Sequence, residues 1–198
     1  MEAKTKNKTL TKLTPKFIAS VGILAGISVL LYYILEFPIP FIPPFLKFDF
    51  STLPALIGGF AFGPIAGFVI VLIKALLHTL ISYSGGAGEI ADLLVSGSFV
   101  LVASSIYAKH KTRKHAVLGM LIGTIVMTIV GGFANYFILI PFYAKIMPLD
   151  KIMDMCGPYI NSTLDYVLFG AIPFNIIKGL ILSAITFVTY KHISRILH

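Results

Sequence analysis

Long apolar runs separated by short polar or proline-rich breaks organise the chain. The first run, from about Phe17 to Leu35, is long enough to cross roughly 30 Å of hydrocarbon. It stops at Glu36, and Phe37-Pro38-Ile39-Pro40-Phe41-Ile42-Pro43-Pro44-Phe45 follows. Prolines packed this densely cannot sit in a regular helix, because each lacks an amide donor and clashes with the preceding turn. The segment reads as a stiff apolar loop folded against protein or membrane. The next run, Ser51 to Ser82, is divided by Gly63-Pro64. It predicts a short helix from about Ser51 to Phe62, capped by Ser51 or Thr52 with Pro54 in its first turn, and a second helix from Pro64 to about Ser82. A helix opened by Gly85-Gly86-Ala87-Gly88-Glu89 comes next, then runs at about Ala116 to Phe142 and Tyr166 to Tyr190. The short helix cannot cross a bilayer alone, so the proline-rich loop is expected to dip in beside it, covered by other helices.

Composition assigns these runs to a membrane. The 198 residues are 57% hydrophobic and 12% charged, with a mean hydropathy of +0.93. A soluble domain carries about 25% charged residues. The net charge of +8 would suit nucleic acid if the cations were spread over a surface, but they cluster at the flanks of apolar runs. Lys4, Lys6, Lys8, Lys12 and Lys16 precede the first run. Lys109, Lys111, Arg113 and Lys114 sit between two runs, and Lys191 and Arg195 follow the last. That is the positive-inside pattern, and it excludes a nucleic-acid partner as the reason for the charge. Placing both termini and the middle cluster in the cytoplasm requires an even number of crossings between them. Division at Gly63-Pro64 meets that requirement. The expected fold is therefore an all-α membrane protein, one domain over 1–198. It comprises a basic segment 1–16, a compact bundle of six transmembrane helices over 17–190 with both termini cytoplasmic, and a basic tail 191–198. The proline-rich loop to Asp49, the Gly85–Glu89 turn and the segment Tyr143 to Asp165 then face outward. The lone Cys156 allows no disulfide within the chain.

Polar residues inside spanning helices are costly and point to function. Asn135 and Asn175 each lie about seven residues in from the outer end of their helix, or roughly 10 Å deep at 1.5 Å per residue. Lys178 shares a helix face with Asn175. Two carboxamides at one depth, with an ammonium one turn along from Asn175, make a candidate ligand floor. Gly88 and Glu89 bring glycine backbone and a helix N-terminus towards it. Lys74 and His78, one turn apart, fit either a structural pair with an acid such as Asp92 or Glu36, or a ligand contact. There is no phosphate-binding loop, no metal-ligand spacing and no nucleophile motif, so neither an ATP site nor an enzyme is expected. Gly22 and Gly26, flanked by Ala19 and Ala25, form a small-residue stripe for close helix packing, against this chain or a partner.

Several segments in order carry a family resemblance: Lys47-Phe48-Asp49-Phe50-Ser51-Thr52-Leu53-Pro54, Gly63-Pro64, Lys74-Ala75-Leu76-Leu77-His78, Gly88-Glu89-Ile90-Ala91-Asp92, Asn135-Tyr136 and Asn175-Ile176-Ile177-Lys178. Together they resemble the riboflavin-specific substrate-binding subunits, or S-components, of bacterial energy-coupling factor (ECF) transporters. The resemblance implies a six-helix protein of the bacterial cell membrane that captures riboflavin from outside, with no resident cofactor; whether FMN binds too is left open by the sequence. It implies partners as well: a transmembrane coupling subunit and two cytoplasmic ATPases. The substrate residues expected are Asn135, Asn175, Lys178, Gly88, Glu89 and Asp92, with Phe45, Leu46 and Lys47 as a lid. Ala19, Gly22, Ala25 and Gly26 are the expected partner contacts. S-components for thiamine, biotin or folate, and a small membrane enzyme using Glu89, Asp92 and His78, are the alternatives.

Overall fold

The computed structural model describes residues 14–39, 43, 46–80, 82 and 85–197, with side chains to 189. The basic residues before 14 and Phe45 lie outside the described residues, as do the side chains of Lys191 and Arg195.

Helix α1 (Pro15–Ile34) starts where Thr14 Oγ1 accepts from the Phe17 amide at 3.2 Å, with Pro15 in the first turn. Its buried residues are Val21, Ala25, Ser28 and Tyr32, a single stripe at helical spacing. Ile23, Leu30 and Ile34 point outward. For a helix in lipid this is the expected inversion: apolar side chains cover the outside, and the polar ones mark the inside. Strands β1 (Phe37–Pro38) and β2 (Lys47–Phe48) pair antiparallel as a short ribbon, Phe37 opposite Phe48.

The division at Gly63 is sharp. Helix α2 (Thr52–Phe62) ends at Gly63, whose φ of +100° needs a glycine, and Pro64 then opens α3 (Pro64–Thr79). The hairpin packs backbone to backbone: a Cβ on Gly67 would lie 2.8 Å from the Ala55 carbonyl oxygen and 2.9 Å from Gly59 Cα. Ser51 precedes α2 but does not cap it, because its hydroxyl is bonded to Asp49 and Lys74 instead. Helix α4 (Ala87–Lys109) follows Gly85 and Gly86, both at positive φ. Helix α5 starts at Arg113, capped by Thr112, and continues through a π-helical turn, Asn135–Leu139, to Tyr143. Gly119 and Gly123 lie against Ala103 and Phe99 and bring α5 close to α4.

The segment Tyr143 to Asp165, read from sequence as loop, contains an amphipathic helix α6 (Leu149–Cys156). It buries Ile152, Met153 and Cys156 over the ends of α5 and of the last helix. Helix α7 begins with Thr163–Asp165, widens into a π-helical turn at Tyr166–Ala171, and continues as Ile172–Leu197. Among the described residues, four spans are long and apolar enough to cross a membrane: Pro15–Ile34, Ala87–Lys109, Arg113–Tyr143 and Thr163–Thr189. Helices α2 and α3 are apolar but shorter. The main core is formed by residues of α1 to α5 with Leu182 of α7, and a second one lies under α6 with Leu46, Phe48, Tyr166 and Phe174.

Candidate functional site

A cavity of about 460 Å³ opens where the ends of α1 and α3, the ribbon, the start of α4, the first π-helical turn and the part of α7 just after the second meet. That volume is within the range of small-molecule sites. Its walls combine Tyr32, Leu46, Val95, Leu139 and Phe174 with a converging set of amides and charges.

The amides are set by the two wide turns. Pro141 and Pro173 each follow a π-helical turn within two residues of its end. A proline inside a helix removes one backbone hydrogen bond and crowds the carbonyl four residues back, and widening the turn before it relieves that crowding. Asn135 opens the first turn; its Nδ2 donates to Gly131 O at 2.8 Å, and its Oδ1 accepts from the Tyr166 hydroxyl at 2.8 Å. Tyr166 opens the second turn, so this bond ties the two together. Asn175 Nδ2 donates to Ala171 O at 2.8 Å, the one hydrogen bond of this side chain among the described residues. A carboxamide has two donors and an accepting oxygen, so Asn175 can still receive a ligand that both donates and accepts.

Beside the amides lies a ring of alternating charges. Lys178 Nζ is 2.7 Å from Asp49 Oδ2 and 3.9 Å from Asp92 Oδ1. Asp92 Oδ2 is 2.6 Å from Lys74 Nζ, which donates to Ser51 Oγ at 2.9 Å, and Ser51 in turn donates from its hydroxyl and its amide to Asp49 Oδ1. Ser28 of α1 donates to the Ser51 carbonyl, and Lys74 Nζ stands 4.8 Å above the Tyr32 ring. Asp49, Lys74 and Lys178 are 2%, 0% and 4% exposed, so each ion depends on its partners rather than on water. Of the two acids considered for Lys74, it pairs with Asp92; Glu36 instead pairs with Lys47 at 2.9 Å near the mouth. His78 Nδ1 lies 2.7 Å from Glu89 Oε1, and its ring stacks on Tyr32 with centroids 3.8 Å apart.

Asn135, Asn175, Lys178, Gly88, Glu89, Asp92, Leu46 and Lys47 all line this one cavity. Glu89 does so while engaged with His78. Asp49, Tyr32, Tyr143 and Phe174 also line it and were not singled out as contacts from sequence. For Asp49 a signal existed: a buried Lys178 demands an acid, and Asp49 is one of only eight in the chain. On α1, Ala19, Gly22 and Gly26 are exposed, whereas Ala25 is 2% exposed and faces the core, which removes it from any partner surface. Ala25 falls on the Val21–Tyr32 stripe, turned by about a sixth of a turn from Gly22 and by somewhat over a quarter from Gly26.

Chemically, the cavity suits a neutral, flat molecule with an amide-like edge and hydroxyl groups. Apolar walls bury the ring; the carboxamides, Lys178 and the carboxylates order its polar atoms. Among the described residues no cluster of His, Cys, Asp and Glu is arranged to hold a metal ion.

Comparison with known proteins agrees with this geometry. Residues 16–190 match the family described as ECF transporter, substrate-specific component. The chain is 39% identical over 182 residues to the riboflavin transporter RibU of Staphylococcus aureus (strain TCH60), covering 92% of each protein. It is 30% identical to the riboflavin transporter FmnP of Bacillus subtilis (strain 168), covering 86% of this chain and 87% of that one. A solved structure of the S component of a bacterial ECF transporter superposes with a TM-score of 0.76 at 36% identity, over 92% of this chain and 97% of that one. With its helical architecture and buried polar cavity, the chain belongs to the substrate-specific components of ECF transporters.

Proposed function

We propose that the cavity binds riboflavin and that the protein is the riboflavin-capturing subunit of a vitamin uptake transporter. The observation that supports this most is the meeting of Asn135, Asn175 and Lys178 in one apolar-walled cavity. The flavin ring is flat and carries a uracil-like edge of alternating donors and acceptors, which amides complement; its ribityl hydroxyls suit the charged wall. The names of the relatives point to the same vitamin. Purified protein is expected to carry flavin absorption, or to acquire it on titration with riboflavin. A protein that stays colourless and instead binds thiamine, biotin or folate would overturn the substrate assignment and leave the family intact.

The chain is a multi-pass protein of the bacterial cell membrane, and its orientation follows from charge. The reading is six crossings, with the ribbon and α2 together making one, both termini in the cytoplasm and the cavity open to the outside. A cysteine replacing Lys111, on the exposed α4–α5 loop, is expected to resist an impermeant maleimide in intact cells and to react after lysis. The native thiol will not interfere: Cys156 is buried, and burial pushes its pKa up to about 11. That leaves fewer than about one thiol in a thousand ionised at pH 7.5. Fast labelling in intact cells would place the loop, and with it the cavity, on the wrong side.

Transport energy comes from partners, a transmembrane coupling subunit and two cytoplasmic ATPases, because this chain has no phosphate loop. Their docking surface is the outer face of α1. Only 22% of the apolar window of α1 is buried, against 44–50% for the other long spans, and a Cβ on Gly22 or Gly26 would meet nothing within 4 Å. The double change Gly22→Leu with Gly26→Leu is therefore expected to abolish uptake in cells. Riboflavin binding by the isolated subunit should change by no more than about twofold, as for exposed sites generally. Lost binding with a preserved complex would return these glycines to the internal packing.

A further inference from the structure

We infer that Lys74 is a positioning residue for the binding site: by holding Asp92, it keeps the Lys178 ammonium available to the ligand. This rests on the cavity being the riboflavin site. Lys74 is fully buried and is not among the residues lining the cavity, so it has no direct route to a ligand. What it touches decides the geometry next door. Its ammonium lies 2.6 Å from Asp92 Oδ2 and is fixed from other directions by Ser51 Oγ and the face of Tyr32. The other oxygen of Asp92 accepts from Ser96 Oγ at 2.9 Å and stands 3.9 Å from Lys178 Nζ, which is beyond a hydrogen bond. Lys178 is thus bonded to one carboxylate, Asp49 at 2.7 Å, and keeps N–H capacity facing the cavity.

Without Lys74, Asp92 is a largely buried carboxylate whose remaining ion-pair partner among the described residues is Lys178. Attraction in so little water is strong, and the 3.9 Å gap is short enough for side-chain rotation to close. Lys178 would then be clamped between two carboxylates, with its protons directed away from the ligand. The role of Lys74 is consequently to satisfy Asp92, and the effect of removing Lys74 should depend on Asp92 being charged.

Four purified proteins decide this: the parent, Lys74→Met, Asp92→Asn and the double variant, each titrated with riboflavin after isolating the monodisperse folded fraction. Lys74→Met is expected to bind at least about tenfold more weakly than the parent. Adding Asp92→Asn to Lys74→Met should tighten binding again. This sign reversal is not expected if Lys74 only supports the fold, because the titration reads affinity in folded protein; nor is it expected if Asp92 acts only as an independent ligand contact, because losing a second contact would weaken binding further. Parental affinity in Lys74→Met, or a double variant no tighter than Lys74→Met, overturns the inference. Should Lys74→Met fail to fold, the comparison passes to Asp92→Asn against the double variant: equal affinities support the assignment, and a further tenfold loss refutes it. If the parent binds a different vitamin, the riboflavin reading fails separately, and the same four proteins titrated with that vitamin still test Lys74.

Discussion

Replacing Lys178 with methionine is expected to weaken riboflavin binding by about a hundredfold and to destabilise the protein at the same time. The two effects have different origins and can be separated. Methionine keeps an apolar stem of similar length but removes the ammonium. A charge-assisted hydrogen bond to the ligand is worth about 1.5–3 kcal/mol, or roughly ten- to more than a hundredfold in dissociation constant. The stability loss comes from Asp49, which is 2% exposed and loses the partner 2.7 Å away. Stranding one member of a buried ion pair costs about 3–5 kcal/mol. Neutralising Asp49 as well, in Lys178→Met with Asp49→Asn, should restore most of the thermal stability in detergent without restoring affinity. Recovery of both together would mean that Lys178 serves only the fold, and unchanged affinity in the single variant would move the ligand elsewhere.

Gly131→Ala is expected to reduce riboflavin affinity by tenfold to a hundredfold, whereas Gly132→Ala, one residue on, should leave it close to parental. A Cβ on Gly131 would sit 2.5 Å from Asn175 Nδ2 and 2.9 Å from its Cγ, so the amide must move. Its hydrogen bond to Ala171 and its place in the cavity are lost together, at a cost of about 1–3 kcal/mol if a ligand group goes unpaired. The same added methyl on Gly132 would meet Val167 at 3.4 Å and Ile172 at 3.9 Å, which is ordinary packing. Alanine is also the better helix former by about 1 kcal/mol, so the control should not suffer from the change itself. Equal effects at the two positions would show a general intolerance of α5 rather than a specific clash with Asn175.

Much of this was legible in the sequence, because a bilayer makes polar residues conspicuous. Run lengths placed α1 and α5 within three residues of their ends, and Gly63-Pro64 divided α2 from α3 where φ turns positive. Asn135, Asn175 and Lys178 stood out as expensive and do converge on one cavity. The misses have physical reasons. Helix α6 has eight residues and holds its form by burying Ile152, Met153 and Cys156 on other elements, which a local pattern does not reveal. The ribbon has two residues per strand, too few for an alternation to register. The wide turns were hidden because Pro141 and Pro173 lie inside apolar runs that read as uninterrupted helix. Ala25 was misassigned because both faces of α1 are apolar. Ser28 and Tyr32, on the same stripe as Ala25, were the available clue to which face turns inward.

The ion pair between Asp49 and Lys178 joins positions 129 residues apart in the chain. A ribosome adding about 5–20 residues per second needs roughly 6–26 s to cover that distance. Throughout that interval Asp49 and the ribbon are already made, while their cation is still unsynthesised. The nascent protein must therefore hold this acid near water or another partner until the last helix arrives. Closure of the vitamin site is then among the final events of its biogenesis, and a chain released before residue 178 would carry every other member of the charge ring with one carboxylate unanswered.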